Sequence, residues 1–201
     1  MKDQVIDNRG LACPQPVINT RKALTALTSG YIVSLVDNYT AKENVMRLAQ
    51  SLGCTCEVEE QGELYYIRIF KGDPVESAVS SFPEREEESW QKQKVILIKD
   101  KVLGQENREL GELLMRTYLY TLSESPRLPL SIILLHGGTH LATADSPVLP
   151  YLQRLEENGV EVVLCGICVD FLGVKDQLRV GRIGNMYEIC ELTTQYEVVS
   201  L

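Results

Sequence analysis

No apolar run in this 201-residue chain reaches the roughly 20 residues that a membrane-spanning helix needs. The longest clear ones, residues 95–98 and 132–135, are the size of strands. Nor is there an excess of basic charge: 20 Lys and Arg stand against 28 Asp and Glu, for a formal net charge of -8. That balance argues against non-specific nucleic-acid binding, which needs Lys and Arg to displace counterions from phosphates. The opening Met1-Lys2-Asp3-Gln4 lacks the hydrophobic stretch of a secretory leader, so the expected location is the cytoplasm. No Walker motif and no Gly-x-Gly-x-x-Gly run is present, which leaves nucleotide binding without support, and no cofactor is implied. What the chain does have is six cysteines: Cys13, Cys54, Cys56, Cys165, Cys168 and Cys190. Without an export signal they read as reactive thiols, metal ligands or core residues rather than as a disulfide framework.

The composition shifts over residues 72–93, which hold Pro74, Pro83 and the acidic run Glu84-Arg85-Glu86-Glu87-Glu88. The stretch reads as a linker, with a charged surface helix after Pro83 as the alternative. Trp90, near its end, is expected to dock on a domain. Residues 1–71 alternate strand and helix signals in the order βαβαββ, predicting a two-layer sandwich. A helix over residues 14–28 buries Val17, Leu24 and Leu27. A second follows the capping-box spacing Thr40-Ala41-Lys42-Glu43 and buries Val45, Leu48, Ala49 and Leu52, with Gly53 as its stop. Gln61-Gly62 marks a hairpin.

Residues 94–201 repeat strand–helix units. Strands are expected at 95–98, 130–135, 160–164 and 197–200. The first helix carries Leu110, Leu113, Leu114, Thr117 and Tyr118 on one face. The next carries Leu149, Leu152 and Leu155, starts at either Ser146-Pro147 or Leu149-Pro150, and ends at Gly159. A last one starts from Asn185. This alternation predicts an α/β domain of three layers, a parallel sheet covered on both faces, with sites at the carboxyl ends of its strands.

Arg9-Gly10-Leu11-Ala12-Cys13-Pro14-Gln15-Pro16 is the most informative stretch. Pro14 suits the first helical position, which puts Cys13 at the N-cap, where the dipole and free N–H groups favour a thiolate. No second cysteine lies nearby, so a lone activated thiol suits a sulfur carrier better than a disulfide exchanger. With the preceding Asp7 and Asn8, the stretch resembles the Cys-Pro-x-Pro signature of the TusA/SirA family of sulfur carriers over roughly the first 71 residues. The resemblance implies that Cys13 accepts sulfur as a persulfide from a donor such as a cysteine desulfurase and passes it to a downstream acceptor. It also implies that Arg9 and Gly10 shape the cysteine loop, that Arg9 helps to stabilise an anion there, and that Pro14 belongs to the binding surface.

Cys165-Gly166-Ile167-Cys168 closes an apolar strand, where this architecture concentrates function. The spacing permits a disulfide, half a zinc site or a pair of buried thiols. Residues 95–201 resemble the DsrE-like family of small sulfur-transfer proteins. The resemblance rests on Leu110-Gly111-Glu112-Leu113-Leu114-Met115, Gly159-Val160-Glu161-Val162, the cysteine pair, and Val180-Gly181-Arg182-Ile183-Gly184-Asn185-Met186-Tyr187. The pairing of the two domains resembles YedF-type selenium metabolism proteins. It implies Cys165 as sulfur acceptor, Cys168 as its helper, Asn185 in the binding region, and a homo-oligomer through the DsrE-like domain. Ile167 replaces a usual threonine, and His136-Gly137-Gly138-Thr139-His140 replaces an Asn-Ser-Gly-Val-like loop. There the glycines, Gly138 among them, are expected to let backbone N–H groups approach a small anion, and the histidines to supply proton transfer.

Cys54 and Cys56 lie two apart on a strand and are expected in the core with Val58, as is Cys190 in the last helix. A zinc site across Cys54, Cys56, Cys165 and Cys168 lacks a finger spacing, and no metal is expected. The leading expectation is a two-domain sulfur or selenium carrier. Cys13 would hold the atom and hand it to Cys165 or to an outside acceptor. The residues themselves do not choose between sulfur and selenium. An exposed Cys165 favours the internal relay, and a buried one leaves the first domain as the carrier. The rivals are a non-catalytic binding or regulatory module and a thiol–disulfide reductant built on Cys165 and Cys168.

Overall fold

The computed structural model describes residues 4–72 and 94–201. Two compact units divide the chain, Met1–Glu84 and Arg85–Leu201. Residues 73–93 of the expected linker, Trp90 included, lie outside the described residues.

The first unit runs β1 (Gln4–Asp7), α1 (Gln15–Ala26), β2 (Gly30–Val36), α2 (Tyr39–Ser51), β3 (Thr55–Gln61) and β4 (Leu64–Lys71), in the expected βαβαββ order. Its sheet order is β1-β2-β4-β3. Because α1 is a crossover helix, β1 lies parallel to β2, and the other pairs are antiparallel. One face of the sheet is dry. Ile32, Val36, Ile67 and Ile69 pack with Leu24 of α1 and Ala41, Val45 and Ala49 of α2. The other face is wet, with Tyr31 against Phe70 at 4.8 Å between ring centroids and Arg68 over the Tyr31 ring. Two layers result, as the alternation along the strands requires. Cys54 and Cys56 join this core beside Val58, and burial pushes both thiols up.

The start of α2 departs from the expected capping box. Asn38, not Thr40, caps the helix: it is extended, and its Oδ1 accepts the Ala41 N–H at 2.8 Å. The helix therefore begins sooner, and Leu52 falls at its C-cap, exposed rather than buried. Gly53 follows at φ +67°, the left-handed stop its position predicts.

The second unit runs β5 (Lys94–Ile98), α3 (Arg108–Ser123), β6 (Ser131–Leu134), a 3-10 turn (His136–Ala142), α4 (Leu149–Glu157), β7 (Glu161–Cys165), α5 (Gly166–Leu172), a 3-10 turn (Lys175–Gln177), β8 (Arg182–Gly184), α6 (Met186–Gln195) and β9 (Glu197–Ser200). All its strands are parallel, in the order β8-β7-β6-β5-β9. Both sheet faces are covered, which makes the expected three layers. Ile96, Ile98, Ile132, Leu134, Val162 and Leu164 meet Met115 and Leu119 of α3, Leu152 and Leu155 of α4 and Val169 of α5. Val95, Ile133, Val163 and Cys165 meet Ile189 of α6 on the other side. Each fully buried Leu or Ile stabilises such a core by roughly 1.5–3 kcal/mol.

Helix α3 presents a different face from the one its leucines predict. Gly111, Met115, Leu119 and Ser123 are buried, whereas Leu110, Leu113 and Leu114 are 51%, 47% and 44% exposed. A Cβ at Gly111 would lie 2.8 Å from the Leu103 carbonyl oxygen, so this glycine lets the helix approach the preceding loop and fixes which stripe turns inward. At the carboxyl ends of β6 and β7, the His136 turn and the Cys165 turn lie side by side.

Candidate functional site

The loop between β1 and α1 holds Cys13 by several polar fastenings. Asn8 is fully buried. Its N–H donates to the Leu35 carbonyl, and its Nδ2 donates to Ser34 Oγ at 2.9 Å. Asn19 Nδ2 donates to Asn8 Oδ1, and the Thr20 and Ser34 hydroxyls pair at 2.9 Å, tying the start of α1 to the sheet. A buried polar group costs stability unless paired, so this cluster holds one arrangement of loop and helix. Arg9 forks onto Asp7 at 2.9 and 2.6 Å. That guanidinium holds the Asp7 carboxyl at about 2, far below the ordinary range. Gly10 has a φ of +71°, and its N–H donates to Asp37 Oδ2 at 2.6 Å, which also lowers the Asp37 carboxyl. Arg9 and Gly10 are thus fastened to Asp7 and Asp37, and the Arg9 guanidinium is engaged by Asp7 rather than by the sulfur.

Cys13 is exposed. It does not occupy the N-cap. The Gln15 N–H closes a turn on the Ala12 carbonyl at 3.0 Å, the Cys13–Pro14 bond is cis, and Pro14 itself stands at the N-cap with Pro16 inside the first turn. The thiol is thus one residue outside the helix end. A polar partner comes from α2 instead: Asn44 Nδ2 donates to Cys13 Sγ at 3.7 Å. Asn44, Asp37 and Asn8 escape a reading of the sequence. Asn44 and Asp37 reach the loop only through tertiary packing, and Asn8 looks like one more polar loop residue. Gly10, three residues before the cysteine, is the local signal of a fastened loop.

In the second unit, β7 ends on Cys165, which is 1% exposed and packs with Val163 and Ile133. Cys168, one turn into α5, is half-buried, and its Sγ accepts the backbone N–H of His136 at 3.2 Å. Cys168 packs against the same small core that Cys165 belongs to. Burial pushes the Cys168 thiol up, the Cys165 contact adds to the rise, and the His136 N–H opposes it. His136 is exposed and, among the described residues, is the non-glycine residue with positive φ, at 47°.

Two other expected site residues have structural duties. The Gly138 N–H donates to the carbonyls of Leu135 and Lys99, so it is not free for an anion, and a Cβ there would lie 2.4 Å from the Ile98 carbonyl oxygen. Asn185 caps α6, its Oδ1 accepting the Glu188 N–H at 3.0 Å. Cys190, expected in the core, is exposed on α6. Among the described residues, no group of three or more His, Cys, Asp or Glu side chains is arranged to hold a metal ion. No helix among them is long and apolar enough to cross a membrane.

Residues 4–71 match the family model described as Sulfurtransferase TusA. A Bacillus subtilis protein named "Putative sulfur carrier protein YrkI" is 35% identical over 72 residues, which are 35% of this chain and 96% of that protein. A second protein of the same designation, from Methanocaldococcus jannaschii, is 36% identical over 67 residues, 33% of this chain and 89% of its own. A solved SirA-like protein from Desulfitobacterium hafniense shares 33% identity, covering 34% of this chain and 97% of that one, with a TM-score of 0.33. The ychN protein of E. coli aligns over 54% of this chain and 99% of its own at 18% identity, with a TM-score of 0.42. Through residues 4–71, the chain belongs to the TusA family.

Proposed function

We propose that the first unit is a sulfur carrier working through Cys13. The observation that carries this reading is an exposed thiol on a loop fastened at Asn8, Arg9 and Gly10, with an Asn44 N–H donor directed at its sulfur. A nucleophilic sulfur must be both reachable and held in one place. The Cys13 thiolate attacks the outer sulfur of a persulfide on a donor such as a cysteine desulfurase. The donor thiol leaves, and Cys13 holds a persulfide. A nucleophile on a downstream acceptor protein then takes the terminal sulfur, and the Cys13 thiol is released. Selenium follows the same chemistry, and the residues around Cys13 do not select against it.

The second unit is read as DsrE-like on its cysteine pair, its glycine-rich stretches and its parallel sheet. The domain limits follow as 1–71 for the carrier, 72–93 for the linker and 94–201 for the DsrE-like domain. A buried Cys165 favours an external acceptor for the Cys13 sulfur over Cys165 itself. Six free cysteines accord with a thiol-reducing compartment, the cytoplasm.

The test is mass spectrometry of the full chain after incubation with a cysteine desulfurase and cysteine. One extra sulfur atom is expected on Cys13, and none at that position in Cys13→Ser. A folded wild-type protein that gains no sulfur on Cys13 overturns the carrier reading. It would favour the binding or regulatory module instead.

A further inference from the structure

Cys165 and Cys168 take no part in the carrier chemistry of Cys13, yet their arrangement is that of a reacting pair rather than of two core residues. Cys165 ends β7 and is closed off from solvent beneath the turn. Cys168 lies one helical turn further on, packed against the same core as Cys165 and partly open to solvent. A third element converges on them: the turn after β6 directs the His136 N–H at Cys168 Sγ. His136 holds a left-handed φ of 47° in doing so, a strained conformation for a non-glycine residue. The Gly138 N–H, two residues on, is shared between the carbonyls of Leu135, just past β6, and Lys99, just past β5. The donor is thus held by the sheet and not by a mobile loop.

We propose that Cys165 and Cys168 form a redox-active dithiol that reduces a sulfur–sulfur bond, with Cys168 as the attacking sulfur and Cys165 as the resolving one. This reverses the roles that the DsrE-like resemblance implies. The reversal follows from access: an outside substrate meets Cys168, whereas Cys165 meets only Cys168 and the core. The substrate class is a thiol-bound sulfane sulfur or a small disulfide.

With a persulfide, the Cys168 thiolate attacks the outer sulfur and the carrier thiolate leaves, so that Cys168 bears the persulfide. The Cys165 thiolate then attacks Cys168 Sγ from the buried side and expels hydrosulfide, leaving a Cys165–Cys168 disulfide. With a disulfide, the first step leaves a mixed disulfide on Cys168, and the second expels the remaining thiolate. In both cases two electrons pass from the protein thiols to the substrate. The two protons they lose end on the departing thiolates. A low-molecular-weight thiol in excess, itself oxidised to its disulfide, returns the pair to the reduced state. The His136 N–H stabilises negative charge on Cys168 Sγ, both as it attacks and as it leaves a reduced adduct. The reaction makes no use of Cys13 and goes beyond the carrier reading.

The test treats the reduced full-length protein with glutathione persulfide in one arm and oxidised glutathione in the other, followed by alkylation and tryptic peptide mapping. Residues 155–175 form a single peptide that holds Cys165 and Cys168 and no other cysteine, so its state is read separately from that of Cys13. In the wild type, this peptide is expected to lose two hydrogens, with release of one hydrosulfide or one further glutathione per chain. Disulfide formation in the persulfide arm alone assigns the sulfane sulfur as substrate, and formation in both assigns the wider class. In Cys165→Ala, the adduct accumulates on Cys168. In Cys168→Ser, the peptide stays unmodified. Two free thiols in the wild-type peptide after both treatments overturn the proposal, as does an adduct built on Cys165 in Cys168→Ser. Sulfur found on the Cys13 peptide, or missing from it, bears on the carrier reading alone.

Discussion

Cys13 depends on neighbours that come from other elements. The Asn44 N–H is aimed at its sulfur from α2, and a hydrogen bond to a charged group contributes about 1.5–3 kcal/mol at best. At 3.7 Å the lower end applies, and about 1.4 kcal/mol corresponds to a factor of ten in rate. Asn44→Leu is therefore expected to slow sulfur loading of Cys13 about tenfold while the unfolding midpoint stays close to that of the wild type. Equal loading rates would remove Asn44 from the site. The Asp7–Arg9 pair makes a pH prediction of its own. The carboxyl sits at about 2 against an ordinary aspartate near 3.9, because it accepts a forked hydrogen bond from a guanidinium. A depressed carboxyl contributes stability above its unfolded value and loses it as pH falls through its folded one. The loop is thus expected to keep this fastening down to about pH 2. Carbon-13 NMR titration of Asp7 reads it directly, with Arg9→Ala returning the midpoint to the ordinary range. Both groups are half-exposed, so the contribution is small and falls with salt.

The elements are positioned by close approaches as much as by their apolar stripes. A Cβ at Gly138 would press on the backbone of β5 at Ile98, whereas one at Gly137 would meet the Asp100 carboxylate, which can swing away. Gly138→Ala is accordingly expected to cost about 1–3 kcal/mol as overpacking, and Gly137→Ala clearly less, by denaturant unfolding of the full chain. Equal effects would show that the 3-10 turn is free to move. The same physics explains what was legible beforehand. Strands β2, β4, β5 and β9 and the βαβαββ order could be read because β-rich runs and helical periods are local. Helix α3 could not be oriented, since Leu110, Leu113 and Leu114 make as good a stripe as Met115, Leu119 and Leu122. The choice lies in the contact of Gly111 with the Leu103 backbone. Strand β8, three residues long at the sheet edge, has no period to detect. The place of Cys13 at the start of α1 was legible, but its displacement from the N-cap was not, because two prolines near a helix start allow either to stand inside the first turn.

For the whole molecule, the inversion of α3 leaves apolar surface to be covered. Leu110 and Leu113 line a shallow groove together with Pro147, Glu109, Glu112 and Arg116. Apolar residues flanked by both signs of charge can face a copy of themselves across a twofold axis. This is the surface through which the homo-oligomer implied by the DsrE-like resemblance is expected to form. The net charge of -8 on each copy opposes association at long range, and salt screens that repulsion more than it weakens apolar contact. Sedimentation velocity of the full chain at micromolar concentration is therefore expected to show a dimer or larger species that strengthens between low and moderate salt. Leu113→Glu, which puts a further negative charge into the centre of the patch, is expected to give monomers with unchanged circular dichroism. A wild-type monomer at every salt concentration would mean that these leucines are covered by something other than a second copy. A wild-type oligomer that survives Leu113→Glu would move the interface off α3.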